Sequence, residues 1–215
     1  KGRSAENLSW MWIFKGGPPG KQAVIFHYSP TRASSVPKKY LNDYSGWLQT
    51  DGFKCYHTAL KYLNRNRGEE DKINHTLCWA HARRKFHDAW KANKSPVADE
   101  ALTYIRRIFD IEDLRKDYSS RGFMKQRKNR AELIFEEFKR WLVKMYPETL
   151  PESLIGKAMK YTINNWEQLI NYVEHPDLTP SNNGAENAIR PFVVGRKNWL
   201  FSASVKGAES SAILY

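Results

Sequence analysis

Patterns of hydrophobic and polar residues predict strands in the first part of this chain. Short runs rich in aromatic and β-branched residues occur at Ser9–Phe14 and Ala23–Tyr28. Gly and Pro residues fill the loop between these two runs, which is typical of a β-hairpin. Further buried strands are predicted at Trp47–Thr50 and Ile73–Trp79, and the first of these leads directly into Asp51–Gly52.

Helical spacing of apolar residues places helices between the predicted strands. Helices are predicted at Ser34–Leu41, at Tyr56–Asn64 and, with a strongly basic composition, at about Ala80–Ala92. Pro37 suits the first turn of the first of these helices. Strands that alternate with helices indicate an α/β fold for this part of the chain.

From residue 93 onward the pattern is helical and predicts three long amphipathic helices. Ser95–Pro96 is a helix-start signal, and Thr149–Glu152 has capping-box spacing and opens a helix whose apolar stripe extends to Val173. A basic loop is expected at Arg121–Arg130, before the second of the three helices. That loop either clamps DNA or is simply solvated.

A segment that contains two prolines and precedes Ser181 ends the helical run and returns the chain to a short polar stretch. We therefore predict an α/β (α+β) domain that is interrupted by an all-helical insertion. The predicted parts are the first part of the core at residues 1–92, the insertion at residues 93–180 and the second part of the core at residues 181–215.

Charge and composition restrict the possible partners. The chain has 35 Lys and Arg against 23 Asp and Glu, a formal net charge of +12, which favours a polyanionic partner such as nucleic acid. No apolar run approaches the length of a membrane span, so no membrane partner is expected. Two cysteines and no visible signal peptide indicate a reducing compartment, and a cytoplasmic, nucleoid-associated location is expected.

The polar stretch after residue 180 contains an acidic side chain among cations. Its Ser and Asn residues supply N-cap chemistry, so Glu186 is expected in the first turn of a short helix, with Arg190 four residues on along the same face. Arg196 and Lys197 follow closely. This arrangement suits a site that holds a metal ion and a phosphate backbone, and the alternative is a capped surface helix with an ordinary ion pair.

Asp51 is the second candidate acid. It follows a predicted strand, and ligands of α/β folds bind at the carboxyl ends of strands. Metal-assisted attack on a phosphodiester needs two or three carboxylates around divalent cations, and Asp51 and Glu186 are predicted to supply two of them. The alternative for Asp51 is a structural Asp-Gly turn.

The segment between the last predicted strand and the basic helix contains further candidates. One conceivable zinc-ligand set is His75, Cys78 and His81, with Cys55 as the fourth ligand. Structural zinc sites normally use closely spaced ligand pairs such as CxxC or HxxxH, and these four residues do not form such pairs. The favoured interpretation is that Cys78 packs as a small apolar group and that His81 begins a helix at the edge of the active site. The consecutive cations that follow are either phosphate contacts or a solvated face: Arg83, Arg84 and Lys85.

Four strings then carry a resemblance to a known family. LQTDGF (48–53), CWAHARRKF (78–86), NNGAENAIRPFVVGRKNWLFS (182–202) and GAESSAILY (207–215) resemble the transposase of the insertion-sequence-66 family of bacterial mobile elements. The resemblance implies a DDE-type enzyme with a ribonuclease-H-like mixed sheet, which uses Mg²⁺ or Mn²⁺ to cleave and join DNA strands at insertion-sequence ends and targets, and which acts as a homo-oligomer.

The resemblance also assigns residues. Asp51 matches the second acidic residue of the DDE triad, Glu186 matches the third, and Cys78 and His81 match a CxxH string downstream of the second Asp. No candidate for the first Asp precedes the predicted hairpin. We therefore expect a fragment that lacks the first strand of the fold and the N-terminal DNA-recognition region, holds no stably bound metal and is inactive alone.

Two other functions remain open at this point. One is a ribonuclease-H-like nuclease or resolvase that cuts DNA without joining it. The other is a non-catalytic DNA-binding or assembly module in which the carboxylates have no role.

Overall fold

The computed structural model describes residues 8–17, 20–191, 193–194 and 205–214. The chain divides into two compact units. The first unit comprises residues 1–44, 53–71 and 183–215, and the second comprises residues 45–52 and 72–182. No helix in the described ranges combines the length and the apolar character that a membrane crossing requires.

The first unit contains the predicted hairpin. Strand β1 (Trp10–Gly16) pairs with β2 (Ala23–Ser29) in an antiparallel register. The helices of this unit that the structure describes in full are α1 (Ser35–Leu41), α2 (Lys54–Leu63), α8 (Asn183–Ala188) and α9 (Val205–Leu214).

Aromatic packing joins the hairpin of the first unit to α1 and α2. Trp12 of β1, Val36 of α1 and Cys55 of α2 are buried together. The Trp12 ring meets Tyr56 edge-on, with 5.9 Å between ring centroids. One face of the hairpin is therefore apolar and covered, as its alternating sequence pattern requires.

The second unit contains two parallel strands and a helical block. Strand β3 (Gly46–Thr50) pairs in parallel with β4 (Ile73–Leu77). The helices are α3 (Trp79–Asn93), α4 (Pro96–Asp110), α5 (Ser120–Met145), α6 (Leu154–Asn164) and α7 (Trp166–Ile170).

Aromatic side chains fill the core of the second unit. Trp79, at the start of α3, is fully buried. Its ring stacks on Phe135 of α5 at 6.1 Å and meets Trp166 of α7 edge-on at 6.0 Å. Phe86 and Phe138 extend the same cluster. The first turn of α3, which follows the sheet edge directly, is therefore anchored in the main core.

Most of the predicted elements are confirmed within a few residues. The strands, the hairpin and the helices α1, α2 and α3 lie where the patterns placed them. At the start of α4, the side chain of Ser95 accepts a hydrogen bond from the amide of Ala98, with Pro96 in the first turn. This is the N-cap that the Ser-Pro pair predicted.

The prediction of a basic loop at Arg121–Arg130 is wrong, because this segment belongs to α5. Phe123, Arg127 and Ala131 are buried at four-residue spacing, so they continue the apolar stripe of the helix toward its N-terminus. The pattern is hard to see in the sequence because an arginine occupies one of its buried positions.

Arg127 can be buried because main-chain carbonyls take the place of water as hydrogen-bond acceptors for its guanidinium. It donates hydrogen bonds to the carbonyls of Val173, His175 and Leu178, at 3.3, 2.6 and 2.7 Å. Glu112 forms an ion pair with it at 3.6 Å. Arg127 thus fastens the segment after α7 to the long helix α5, and it is not available to clamp DNA.

The third predicted helix is also corrected. Instead of starting at the Thr149–Glu152 capping box, α6 begins at Leu154, where the side chain of Ser153 accepts a hydrogen bond from the amide of Gly156. The apolar stripe toward Val173 is divided among α6, α7 and a short 3-10 turn. The apolar residues of the stripe pack in or against one core cluster that includes Trp166, although they do not lie on one straight helix.

The fold class is α/β, as predicted, with strands that form small sheets between abundant helices. In the described ranges, the four strands form a two-stranded antiparallel sheet in the first unit and a two-stranded parallel sheet in the second. A single ribonuclease-H-like mixed sheet stays a prediction. The division into residues 1–92, 93–180 and 181–215 likewise stays a prediction.

Candidate functional site

The parallel pairing of β3 and β4 brings two candidate residues to one sheet edge. Asp51 directly follows β3 and Cys78 directly follows β4, and the last residues of the two strands are in register. The amide of Cys78 donates a hydrogen bond of 3.1 Å to the carbonyl of Thr50. The carboxyl ends of the strands therefore meet there, which is where α/β folds bind ligands.

The turn after β3 is held by Thr50, a buried hydroxyl residue. Its Oγ1 lies 2.9 Å from Nε2 of His75 and accepts a hydrogen bond of 3.3 Å from the amide of Gly52. Gly52 has a φ of 80°, a conformation that side-chain-bearing residues rarely adopt. His75 therefore supports the Asp51 turn from the neighbouring strand.

Cys78 is buried, as the favoured sequence interpretation expects. Its Sγ accepts a hydrogen bond of 3.4 Å from the amide of Asn182. The amide of Trp79 donates to the carbonyl of Pro180 at 2.8 Å. His81 is half-buried in the first turn of α3, so it lies within one helical turn of the sheet edge. The segment that follows the helical block is thus bonded to the junction between β4 and α3.

Tyr161 of α6 also contacts this edge and was not identified from the sequence. Its hydroxyl donates a long hydrogen bond of 3.5 Å to the main-chain carbonyl of Asp51. Burial raises the pKa of the Tyr161 hydroxyl to about 12, and the proximity of Cys78 and Asp51 acts in the same direction. No local sequence pattern marks Tyr161, because its contact with Asp51 joins elements 110 positions apart.

Three predicted phosphate contacts form a consecutive exposed run on α3. They are Arg83, Arg84 and Lys85. The ammonium of Lys85 lies 4.7 Å from the centroid of the Tyr161 ring. A groove of about 270 Å³ between α3 and α4 is lined by Arg83 and Arg106 together with one acidic residue, Asp99. This face of the second unit is therefore cationic and open to a polyanion.

Glu186 belongs to the first unit, where it is half-buried in the first turn of the short helix α8. The ammonium of Lys15 donates a hydrogen bond of 3.4 Å to the carbonyl of Gly184, which ties the start of α8 to β1. The predicted placement of Glu186 in a first turn is confirmed.

Helix α8 ends at Ala188, two residues before Arg190, so the shared helical face of Glu186 and Arg190 stays a prediction. Arg190 is exposed in the next helical turn. Arg196 and Lys197 lie outside the described residues.

Carboxylates are the donors that Mg²⁺ and Mn²⁺ prefer, so the chemistry of Asp51 and Glu186 fits such a cation. Within the described ranges, however, no group of three His, Cys, Asp or Glu residues is arranged to hold a metal ion. A cation shared by Asp51 and Glu186 stays a prediction. The same observation leaves the zinc alternative of His75, Cys78, His81 and Cys55 without an assembled site.

Comparison with known proteins gives the family. Residues 1–210 match the sequence model described as the IS66 family of transposases. The chain thus belongs to the class of proteins related to DNA-transposing enzymes. In particular, it is a member of the IS66 transposase family, as the four sequence strings indicated.

Curated relatives come from one bacterium, Sinorhizobium fredii (strain NBRC 101917 / NGR234). Uncharacterized protein y4jD is 28% identical over 222 residues, an alignment that covers 99% of this chain and 42% of y4jD. Uncharacterized protein y4hP is 27% identical over 220 residues, covering 95% of this chain and 39% of y4hP. The chain therefore spans about two fifths of the length of these relatives. No solved structure matches it.

Proposed function

We propose that this chain forms part of the catalytic core of a DDE-type transposase, which cleaves and joins DNA strands by metal-dependent phosphodiester transfer. The observation that carries the proposal is the match of residues 1–210 to the IS66 transposase family. The position of Asp51 at the carboxyl edge of a parallel strand pair supports it, because substrates of α/β folds bind at such edges.

In this proposal Asp51 and Glu186 are ligands of Mg²⁺ or Mn²⁺, together with one acidic residue that the described ranges do not supply. When bound, such a cation activates the attacking oxygen and stabilises the leaving oxygen of the phosphodiester. The buried Cys78 and the half-buried His81 support the edge that presents Asp51.

Cationic side chains hold the DNA backbone in this proposal. Arg83, Arg84 and Lys85 on α3 and the exposed Arg190 contact phosphates, and Arg196 and Lys197 are proposed to do the same. Phosphate contacts of this kind fix the register of DNA and make binding salt-dependent. The proposed active assembly is a homo-oligomer on paired insertion-sequence ends, and its core is a ribonuclease-H-like sheet.

The decisive experiment uses a full-length transposase that carries this chain. Asp51→Asn and Glu186→Gln remove one negative charge each while they preserve side-chain shape. Matched controls are Asp177→Asn in the second unit and Glu70→Gln in the first, both at exposed positions. We expect each of the first two substitutions to abolish Mg²⁺-dependent strand cleavage with DNA affinity unchanged, and the two controls to retain cleavage.

The outcomes separate the competing functions. Cleavage that survives both Asp51→Asn and Glu186→Gln contradicts the catalytic assignment and favours a DNA-binding or assembly module. Cleavage without joining of the 3′ end to target DNA favours a nuclease or resolvase. The isolated 215-residue chain is expected to lack Mg²⁺-dependent cleavage, since it supplies two of the proposed ligands, and cleavage by this chain alone contradicts that expectation.

A further inference from the structure

A helix from the distant helical block contacts the turn that presents Asp51. Tyr161 lies 110 positions after Asp51 in the sequence, and its hydroxyl donates a hydrogen bond to the Asp51 carbonyl. All of these residues belong to the second unit. The turn after β3 is therefore held on two sides, by Thr50 within the sheet and by Tyr161 from α6.

The approach of Tyr161 depends on Gly52. A Cβ atom at position 52 would lie 2.7 Å from the Tyr161 hydroxyl oxygen and 3.6 Å from Cε2 of the same ring. Real Cβ atoms do not come this close to an oxygen without a shift of one of the two groups. The glycine thus allows both the positive φ of the turn and the close packing of the phenol against it.

The Tyr161 side chain contacts both the Asp51 turn and a cation of α3. Its hydroxyl donates to the Asp51 carbonyl at 3.5 Å. The ammonium of Lys85 lies 4.7 Å from the centroid of the same ring. One aromatic ring thus contacts the Asp51 turn and a proposed phosphate-binding cation.

We propose that Tyr161 is a positioning residue for Asp51, so that the helical block takes part in building the reaction site. The inference rests on the proposed function of Asp51 as a metal ligand. Tyr161 acts through the main chain of the turn: its hydroxyl and ring fix the path of residues 51–52, and this path sets the direction from which the Asp51 carboxylate reaches the metal.

The test is Tyr161→Phe, which keeps the ring, its contact with Lys85 and its packing on Gly52 and removes the hydroxyl alone. Tyr118→Phe is the matched control, because Tyr118 is 40% exposed. In the full-length transposase we expect Tyr161→Phe to lower the rate of strand cleavage about tenfold at limiting Mg²⁺, the order expected for one lost hydrogen bond. The Mg²⁺ concentration for half-maximal rate is expected to rise, while DNA affinity and Tm stay at wild-type values.

A second measurement needs no activity. Amide hydrogen exchange in the 215-residue chain is expected to be faster at Gly52 in Tyr161→Phe than in the wild type, with exchange in β4 unchanged. Tyr118→Phe is expected to leave both the Mg²⁺ dependence and the exchange of Gly52 unaltered.

The results distinguish this inference from the function on which it rests. If Asp51→Asn abolishes cleavage and Tyr161→Phe shows wild-type Mg²⁺ dependence, the positioning role of Tyr161 is overturned and the proposed function stands. If Asp51→Asn cleaves normally, the proposed function fails, and the positioning role fails with it. If Tyr161→Phe lowers the Tm or the DNA affinity enough to account for its lower cleavage rate, Tyr161 has a merely structural role and the inference is overturned.

Discussion

Replacement of Arg127 by methionine is expected to destabilise the second unit strongly. In the folded chain the Arg127 side chain is fully buried, with its guanidinium carbon 5.3 Å from the ring centroid of Phe123 and 5.5 Å from that of Tyr172. It donates three hydrogen bonds to main-chain carbonyls of the segment after α7. Methionine fills much of the same volume but has no donor, so these carbonyls lose their donor and the Glu112 carboxylate loses the nearer of its two cationic partners, Arg127 at 3.6 Å and Arg115 at 3.8 Å.

The magnitude follows from the contacts that are lost. A hydrogen bond from a charged donor contributes about 1.5–3 kcal/mol, and an acceptor left buried without a donor is unfavourable. Removal of one partner of a buried ion pair destabilises proteins by about 3–5 kcal/mol, and we take about 4 kcal/mol for Arg127→Met. Because whole domains are stable by only about 5–15 kcal/mol, this is a large fraction of the stability of the unit.

The assay is urea unfolding of the 215-residue chain, followed by circular dichroism and tryptophan fluorescence. With a slope of about 2 kcal/mol per molar urea, a loss of about 4 kcal/mol lowers the unfolding midpoint by about 2 M. Lys128→Met is the matched control, because the adjacent Lys128 forms an exposed ion pair of 2.8 Å with Glu174. Exposed pairs contribute at most about 1 kcal/mol.

The double variant Glu112→Gln, Arg127→Met tests the reasoning further. Removal of the Glu112 charge is expected to restore part of the lost stability, since in the single variant this partly buried carboxylate keeps only the more distant ion pair with Arg115, at 3.8 Å. The reasoning is refuted if Arg127→Met unfolds at the same urea concentration as Lys128→Met.

Three further predictions concern pH, backbone conformation and DNA. Burial raises the pKa of Glu112 and Arg127 opposes that rise, so Arg127→Met raises it further. The folded state of the variant then binds the Glu112 proton more tightly than the unfolded state does, so stability is lost as pH rises through the folded-state pKa. The decrease in the urea midpoint caused by Arg127→Met is therefore expected to be larger at pH 7 than at pH 4. Equal decreases at the two pH values contradict this prediction. Gly52→Ala is expected to lose about 1–3 kcal/mol in thermal unfolding, and less when Tyr161→Phe is also present; an unchanged Tm is the contrary result. Arg83→Ala is expected to lower the salt slope of DNA binding by about one, as titrations between low and moderate salt measure, and an unchanged slope excludes a phosphate contact.

Much of the local structure was predictable because each element carries its own signal. The hairpin is encoded by aromatic and β-branched runs around a Gly-Pro loop, and α4 begins at its Ser-Pro pair. Asp51 after β3 and Glu186 in the first turn of α8 were placed by the same local rules.

Errors arose where a residue's environment contradicts its ordinary behaviour. The many cations of residues 121–130 suggested a solvated loop. Arg127 is nevertheless buried, because carbonyls distant in the sequence accept the hydrogen bonds of its guanidinium. Tyr161 was not identified for the same reason, because its contact with Asp51 joins elements 110 positions apart. No local pattern reports such a partner.

The sequence by itself determined the family, the basic character and the places where strands and helices begin, because these depend on composition, short strings and spacing along the chain. Only the tertiary structure decided that Cys78, His75 and Tyr161 all support the turn or edge that presents Asp51. It also decided that one arginine serves as a structural clamp. These outcomes depend on which distant groups become neighbours once water is excluded, since burial makes each polar group require a specific partner.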